Sequence, residues 1–423
     1  MKNFEFLLIG VVLIFGFNAC QDKYTESYQV NVPIYMALED WRALDISAES
    51  PRQISEAGKI YIYQDYLFIV DRGLGVHIVN NANPASPQNI AFLPVQGSVD
   101  VAVRNDALYI DSYFDLLSFN ISDPANPTLS CRIPNAFDAY NMTLMQGFND
   151  ELPSEGINDD NGIVVGWAQK EIIMDADSYQ NRGLWMSNEE NISNLAGGDG
   201  TSFSGGIGGS MAQFTITDSY LYVLRPSSIT SFNLDANLCP EQGSITPVNW
   251  VAETIFPYNN HLFLGTTSGM MIFNLNNPST PEFVSSISHL TACDPVVVQD
   301  DRAYVTIRNG NNCMGVLNQL LVIDISNYNS PFTIAEYNLT NPHGLGIDGN
   351  TLFICDGSAG LKVFNAEDDM AIADNMISHY ENINTYDVIP YNDVLIMSAE
   401  EGIYQYDYSD PLNILQLSFI AVN

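Results

Sequence analysis

The residues in this sequence whose types and spacing could do chemistry are Asp71, Asp100, Asp111, Glu253, Asp294, His343 and Asp356. Each stands at the end of a short apolar run or just ahead of the next one. Carboxylates in such numbers suit a hard cation such as Ca2+, and the histidine among them could serve as a general base. No second histidine lies near His343 in sequence, so a transition-metal site is not indicated; whether any metal binds is open, and no cofactor is required. The competing reading is structural, with acids at strand ends capping turns and solvating the rim of an acidic protein. His343 is the most individual of the set. In Asn341-Pro342-His343-Gly344-Leu345-Gly346 it stands beside glycines, where backbone can pass close to a ligand.

Cysteine is the other reactive type, at positions 20, 131, 239, 293, 313 and 355. Cys293 opens the first strand of one repeat and Cys313 lies in the loop after its second strand, so the two fall on one face. A Cys293–Cys313 disulfide is expected, worth about 3 kcal/mol in the loop-entropy picture, with Cys355 on the same face as a competitor. The common hydrolase signatures Gly-x-Ser-x-Gly and His-Glu-x-x-His are absent. The glycine-dense run 197–209 lacks the Gly-Lys-Ser/Thr ending of a phosphate cradle, and 158–162 lacks the ligand spacing of a calcium loop.

The elements that must position these residues repeat. Apolar bursts start at Leu67, Leu108, Leu221, Leu262, Ala303, Leu352 and Leu395, in steps of 41, 113, 41, 41, 49 and 43 residues. A period near 41 is that of a propeller blade. In the second repeat, Val99 to Arg104, Ala107 to Asp111, Leu116 to Ile121 and Thr128 to Ile133 read as four strands, joined by Asn105-Asp106, a loop and the Asp123-Pro124-Ala125-Asn126-Pro127 corner. The fold expected is all-β, a seven-bladed β-propeller over residues 58–422. In such a blade, the start of strand one and the end of strand two lie on one face near the central channel, so the candidate residues would ring a common mouth.

The long step holds an inserted loop region at 134–211, rich in Asn, Asp, Ser and Gly, in which Gly162 to Met174 reads as a strand that replaces or extends an outer strand. If that strand joined the N-terminal strands around Val30 to Tyr35, the blades would number eight. Arg42 to Ile54 looks like the tail of a repeat whose beginning is missing, a candidate closing piece.

Lys and Arg total 14 against 50 Asp and Glu, a formal net charge of −36. Such a field repels phosphate backbones and anionic lipid surfaces, so nucleic acid is excluded as a partner. Residues 1–19 read as a signal peptide: Lys2, an apolar run from Phe6 to Phe17, then small Ala19. Phe17-Asn18-Ala19-Cys20 resembles a bacterial lipobox, which implies lipidation of Cys20 by chains such as palmitate; a plain signal peptide is the alternative. Residues 20–57 would then hold the lipid-anchored tether and N-terminal strands.

The strings Tyr66-Leu67-Phe68-Ile69-Val70-Asp71 and Leu320-Leu321-Val322-Ile323-Asp324-Ile325-Ser326 resemble the LVIVD repeat of bacterial extracytoplasmic β-propeller lipoproteins. The resemblance covers about 58–422 and implies a fold and a compartment, the outer membrane or cell surface of a Gram-negative bacterium. It brings no catalytic residues with it. The function expected is a non-catalytic binding or scaffold module for an envelope protein or glycan. The alternative is a propeller enzyme acting on carbohydrate or peptide at the channel mouth, which requires His343 and at least two of the carboxylates to share a pocket.

Overall fold

A computed structural model describes residues 25–137, 152–175, 207–235, 239–288, 295–308 and 317–422. Its chain divides into two compact units, residues 1–38 with 147–187, and residues 39–146 with 188–423. In the first unit, Thr25–Met36 pairs antiparallel with Ile163–Asp175. The strand expected at 162–174 therefore pairs with the N-terminal strand rather than with a blade, and the two make a two-stranded sheet of their own. The Asn31 side chain reaches Leu152 O at 3.1 Å and Ser154 Oγ at 3.2 Å, holding a third piece of chain beside them.

The second unit contains seven four-stranded antiparallel sheets, each formed by four strands consecutive in sequence. They cover 57–93, 101–133, 214–247, 252–288, 296–338, 345–380 and 385–421, blades 1 to 7. First strands of neighbouring blades pack against one another in sequence order, so strand one is innermost and lines the channel. This is the seven-bladed β-propeller expected, and among the described residues no eighth blade is formed.

The strand types follow from where each strand lies. Leu67, Phe68, Ile69 and Val70 of strand two are all 0% exposed. Neighbouring blades cover both faces of that strand, so it needs a continuous apolar run. Fourth strands lie at the outer edge and alternate, as in Glu282–Ser288. Apolar clusters fill every seam between blades, including the one that joins blade 7 to blade 1 through Ile389, Ile396 and Ile403 against Ile60, Ile62 and Leu67. That last seam is also tied by a reciprocal amide pair, Asn81 with Gln405 at 2.8 Å in both directions. Ile54 adds a parallel bridge to Val422, so the 42–54 stretch does reach the closing seam.

Turn chemistry is equally regular. The tight turns Asn105-Asp106, Asn259-Asn260 and Asn392-Asp393 all have positive φ at both residues, as a two-residue hairpin turn demands. The last residue of strand three is Asn or Asp in every blade: 80, 120, 233, 274, 324, 365 and 407. Each accepts a hydrogen bond from the N–H two residues on. The acid that ends the LVID string at Asp324 is thus a turn-forming side chain. Among the described residues no helix is long and apolar enough to cross a membrane.

Candidate functional site at the channel mouth

Three of the expected carboxylates occupy equivalent positions at or just after the end of strand two, and each turns to the start of strand one in its own blade. Asp71 accepts from the N–H of Ser55 at 3.2 Å and Glu56 at 2.9 Å. Asp111 accepts from Val99 N at 2.7 Å and Asp100 N at 3.0 Å, and Asp356 from Thr340 N at 3.0 Å and Asn341 N at 2.7 Å. Each also meets a cation or imidazole: His77 for Asp71 at 3.1 Å, Arg225 for Asp111 at 3.2 Å, Lys362 for Asp356 at 2.5 Å. These carboxylates fasten the loop that leads into their blade and do not converge on a shared point. Burial pushes Asp71 up, but bonds from His77, Glu56 N–H and Ser55 N–H outweigh it, so its carboxyl titrates below the ordinary range.

Asp100 plays a different part. It is buried against the channel, and its Oδ2 accepts from Gln213 N at 2.6 Å and Phe214 N at 2.9 Å, across the seam to blade 3. Burial raises its pKa to about 6, against the pull of Lys59 and of the N–H groups of Gln213, Phe214 and Val101. Lys59 is buried as well and donates to the carbonyl of Met211; burial lowers its pKa, while Asp100 and Asp387 raise it. Asp387 completes the group. Burial pushes its carboxyl well up, and among the described residues its Oδ2 has no hydrogen-bond partner.

What joins this group is the chain itself. Ile207 bridges to Ile62 on the inward edge of blade 1, with N–H to O distances of 2.7 and 2.8 Å. Ser210, fully buried, donates to Asp387 of blade 7 at 3.3 Å and accepts from Leu345 N of blade 6 at 3.2 Å. Ala212 O then accepts from Ile255 N of blade 4 at 2.9 Å. Residues 207–212 therefore cross the channel before the chain enters blade 3.

His343 is 5% exposed and lies at the start of strand one in blade 6. Its N–H donates to Cys355 O at 2.7 Å and its carbonyl accepts from Thr306 Oγ1 at 2.5 Å. The ring sits 3.3 Å from Arg308 Nη1 through Nδ1, 3.2 Å from Asn341 Nδ2 through Nε2, and edge-on to Tyr386 at 5.7 Å. Burial and the neighbouring guanidinium of Arg308 lower its pKa to about 3, so the imidazole is neutral. Glu253 occupies a bulge in strand one of blade 4, partly buried, where it acts electrostatically on Arg308. The pocket of His343 with two carboxylates that an enzyme would require is not formed by Asp71, Asp111 or Asp356. Among the described residues, no three His, Cys, Asp or Glu side chains are grouped to hold a metal ion.

Asp294, Cys293, Cys313 and Cys20 lie outside the described residues, as do the signal peptide and most of the glycine run. A different disulfide is present. Cys131 in the outer strand of blade 2 joins Cys239, just ahead of the outer strand of blade 3, with α-carbons 5.3 Å apart. Cys355 is buried and free. Sequence reasoning missed this bridge, and it left Lys59, Arg308 and Asp387 out of the candidate site. Lys59 and Asp387 align with Asp100 at the start of strand one, and Arg308 aligns with Asp111 at the end of strand two. That alignment places them in the polar ring at the mouth, but does not give their burial or their partners.

Fold and mouth together define the class, a seven-bladed β-propeller whose channel is crossed by its own chain. Two of its blades carry a known repeat: the LVIVD repeat matches residues 55–91 and 292–339, in blades 1 and 5. No curated protein matches the chain. Among solved structures, Saccharomyces cerevisiae Sqt1 is similar over 90% of this chain and 89% of its own, at 10% identity and a TM-score of 0.51. The periplasmic gluconolactonase PpgL of Pseudomonas aeruginosa is similar over 87% of this chain and 97% of its own, at 8% identity and a TM-score of 0.51. At such identities the likeness is one of fold alone.

Proposed function

We propose that this propeller is exported, anchored at the outer membrane or cell surface of a Gram-negative bacterium through acylated Cys20, and works as a non-catalytic binding module for an envelope glycan or protein. The observation that carries the binding reading is the use made of the mouth carboxylates. Asp71, Asp111 and Asp356 hold backbone N–H groups and a neighbouring cation or imidazole, a use that fastens loops and does not converge on a reacting centre. The leader at 1–19 and the lipobox-like Phe17 to Cys20 support export and anchoring, and the Cys131–Cys239 bridge suits an oxidising compartment.

The test is affinity capture from the native envelope with the soluble chain that starts at Gln21. Recovery of a glycan or protein that the denatured chain does not retain supports the reading. Recovery of nothing, or release of a chemically altered component, overturns it.

A further inference from the structure

The mouth of the channel collects cations in a protein of net charge −36. Lys59, Arg72, Arg225, Arg308 and Lys362 all stand at the start of strand one, at or just after the end of strand two, or at the start of strand three. Most are matched by acids: Arg72 by Glu56 at 2.8 Å, Arg225 by Asp111 at 3.2 Å, Lys362 by Asp356 at 2.5 Å. Lys59 is sealed beneath the crossing segment on the carbonyl of Met211. Arg308 differs, since Glu253 acts on it electrostatically but forms no salt bridge with it. Among the described residues it makes no salt bridge, and its hydrogen-bonding contacts come from Nη1 alone, at 3.3 and 3.5 Å from the two ring nitrogens of His343.

A neutral imidazole positions this guanidinium without neutralising it. One edge of the fork is held and the rest, Nε and Nη2, is left to accept a planar anion in two parallel hydrogen bonds. The side chain is partly buried, which strengthens such a contact relative to open solvent. Glu253 acts on the same guanidinium from blade 4, and with the overall negative field it penalises a dianion such as phosphate more heavily than a monoanion. A monoanionic carboxylate matches one arginine fork.

Tyr386 says what the carboxylate is attached to. It sits on a bulge in strand one of blade 7, half-buried, beside the His343 ring. Bulges re-aim side chains, and an aromatic ring packed on the histidine that holds the fork suits a sugar ring. A peptide strand would find few partners among the described residues of blade 6 here. The nearby N–H groups are already taken: His343 N by Cys355 O, Gly344 N by Tyr386 O, Leu345 N by Ser210 Oγ.

We propose that Arg308, positioned by His343, whose ring packs against Tyr386, is the carboxylate-binding element of a mouth subsite for an acidic sugar, the uronate unit of a glycan. This deepens the binding reading above and rests on it.

The experiment is titration of the purified full chain with galacturonate, galactose and acetate, followed by saturation-transfer NMR and calorimetry. Galacturonate should bind at least ten-fold more tightly than either probe that lacks the carboxylate or the ring. Arg308→Gln should lose at least ten-fold in galacturonate affinity, and Arg308→Lys, which keeps the charge without the fork, should fall between. Tyr386→Ala should weaken galacturonate and leave acetate unchanged, a check independent of whether the arginine variants fold. Equal binding of galactose, equal binding of acetate, or unchanged affinity in Arg308→Gln would each overturn the subsite. A failure here with capture from the envelope intact removes the uronate alone. Failure of both removes the binding module.

Discussion

The Ser210 hydroxyl donates to the Asp387 carboxylate at 3.3 Å from 177 positions away, and so connects the segment that crosses the channel to the first strand of the last blade. Every blade is built from four consecutive strands, so no blade is shared between the chain's two ends. Closure falls instead on the seam between blades 7 and 1 and on this crossing segment, which touches the inner strands of blades 1, 4, 6 and 7. Four predictions test this arrangement.

Lys59 is a cation that acts on both Asp100 and Asp387, and all three are buried. Lys59→Met removes a cation that acts through space on two buried carboxyls and leaves the Met211 carbonyl without its Lys59 donor, which costs about 1–3 kcal/mol. A urea titration should show that loss. Adding Asp100→Asn should return part of it, because the double change removes one of the stranded acids; a double variant no better than the single would contradict the coupling.

Asp100 titrates at about 6 in the folded chain against 3.8 for the free group. Between these values the folded chain keeps a proton that the unfolded chain has released, so this group's contribution to stability falls as pH rises from about 4 to 6. Asp387 acts in the same sense, and Asp71, lowered in the fold, acts in the opposite sense at more acid pH. Stability measured from pH 4 to 7 should therefore decline less across this window in Asp100→Asn than in the parent. Parallel curves would rule out the assignment.

The Cys131–Cys239 bridge spans 108 positions and ties the outer edges of blades 2 and 3. Replacing both residues by Ser should lower stability by about 2–4 kcal/mol. Non-reducing peptide maps should recover the Cys131 peptide joined to the Cys239 peptide, and a join from Cys131 to any other cysteine would refute the pairing.

Gly269 opens strand three of blade 4 with φ +142, where an added Cβ would lie 2.1 Å from Ile287 O on strand four. Gly269→Ala should cost about 2–3 kcal/mol through that clash and the strained backbone. Gly349 is a control, since at φ +52 nothing lies within 4 Å of its Cβ position. Gly349→Ala should cost about 1 kcal/mol from the backbone alone. Equal losses in chemical denaturation would show that the contact with Ile287 is not what requires glycine.

The repeat, the seven bursts and the turns could be read from the sequence because each depends on neighbours a few residues away. Strand two must be apolar throughout once both its faces are covered, and Asn105-Asp106 must take positive φ for the hairpin to close. Only the tertiary structure decided what the mouth residues do. Asp71, Asp111 and Asp356 look alike in sequence, but their partners are a histidine and a lysine of their own blades in two cases and an arginine of the next blade in the third. Ser210, Asp387 and Lys59 meet only because the ring closes and residues 207–212 cross its centre. Cys131 and Cys239 meet because adjacent blades bring their outer edges together. A period of about 41 residues specifies which strand follows which. It carries no information about which side chains face one another across a closed ring, since that distance is set by packing of the whole.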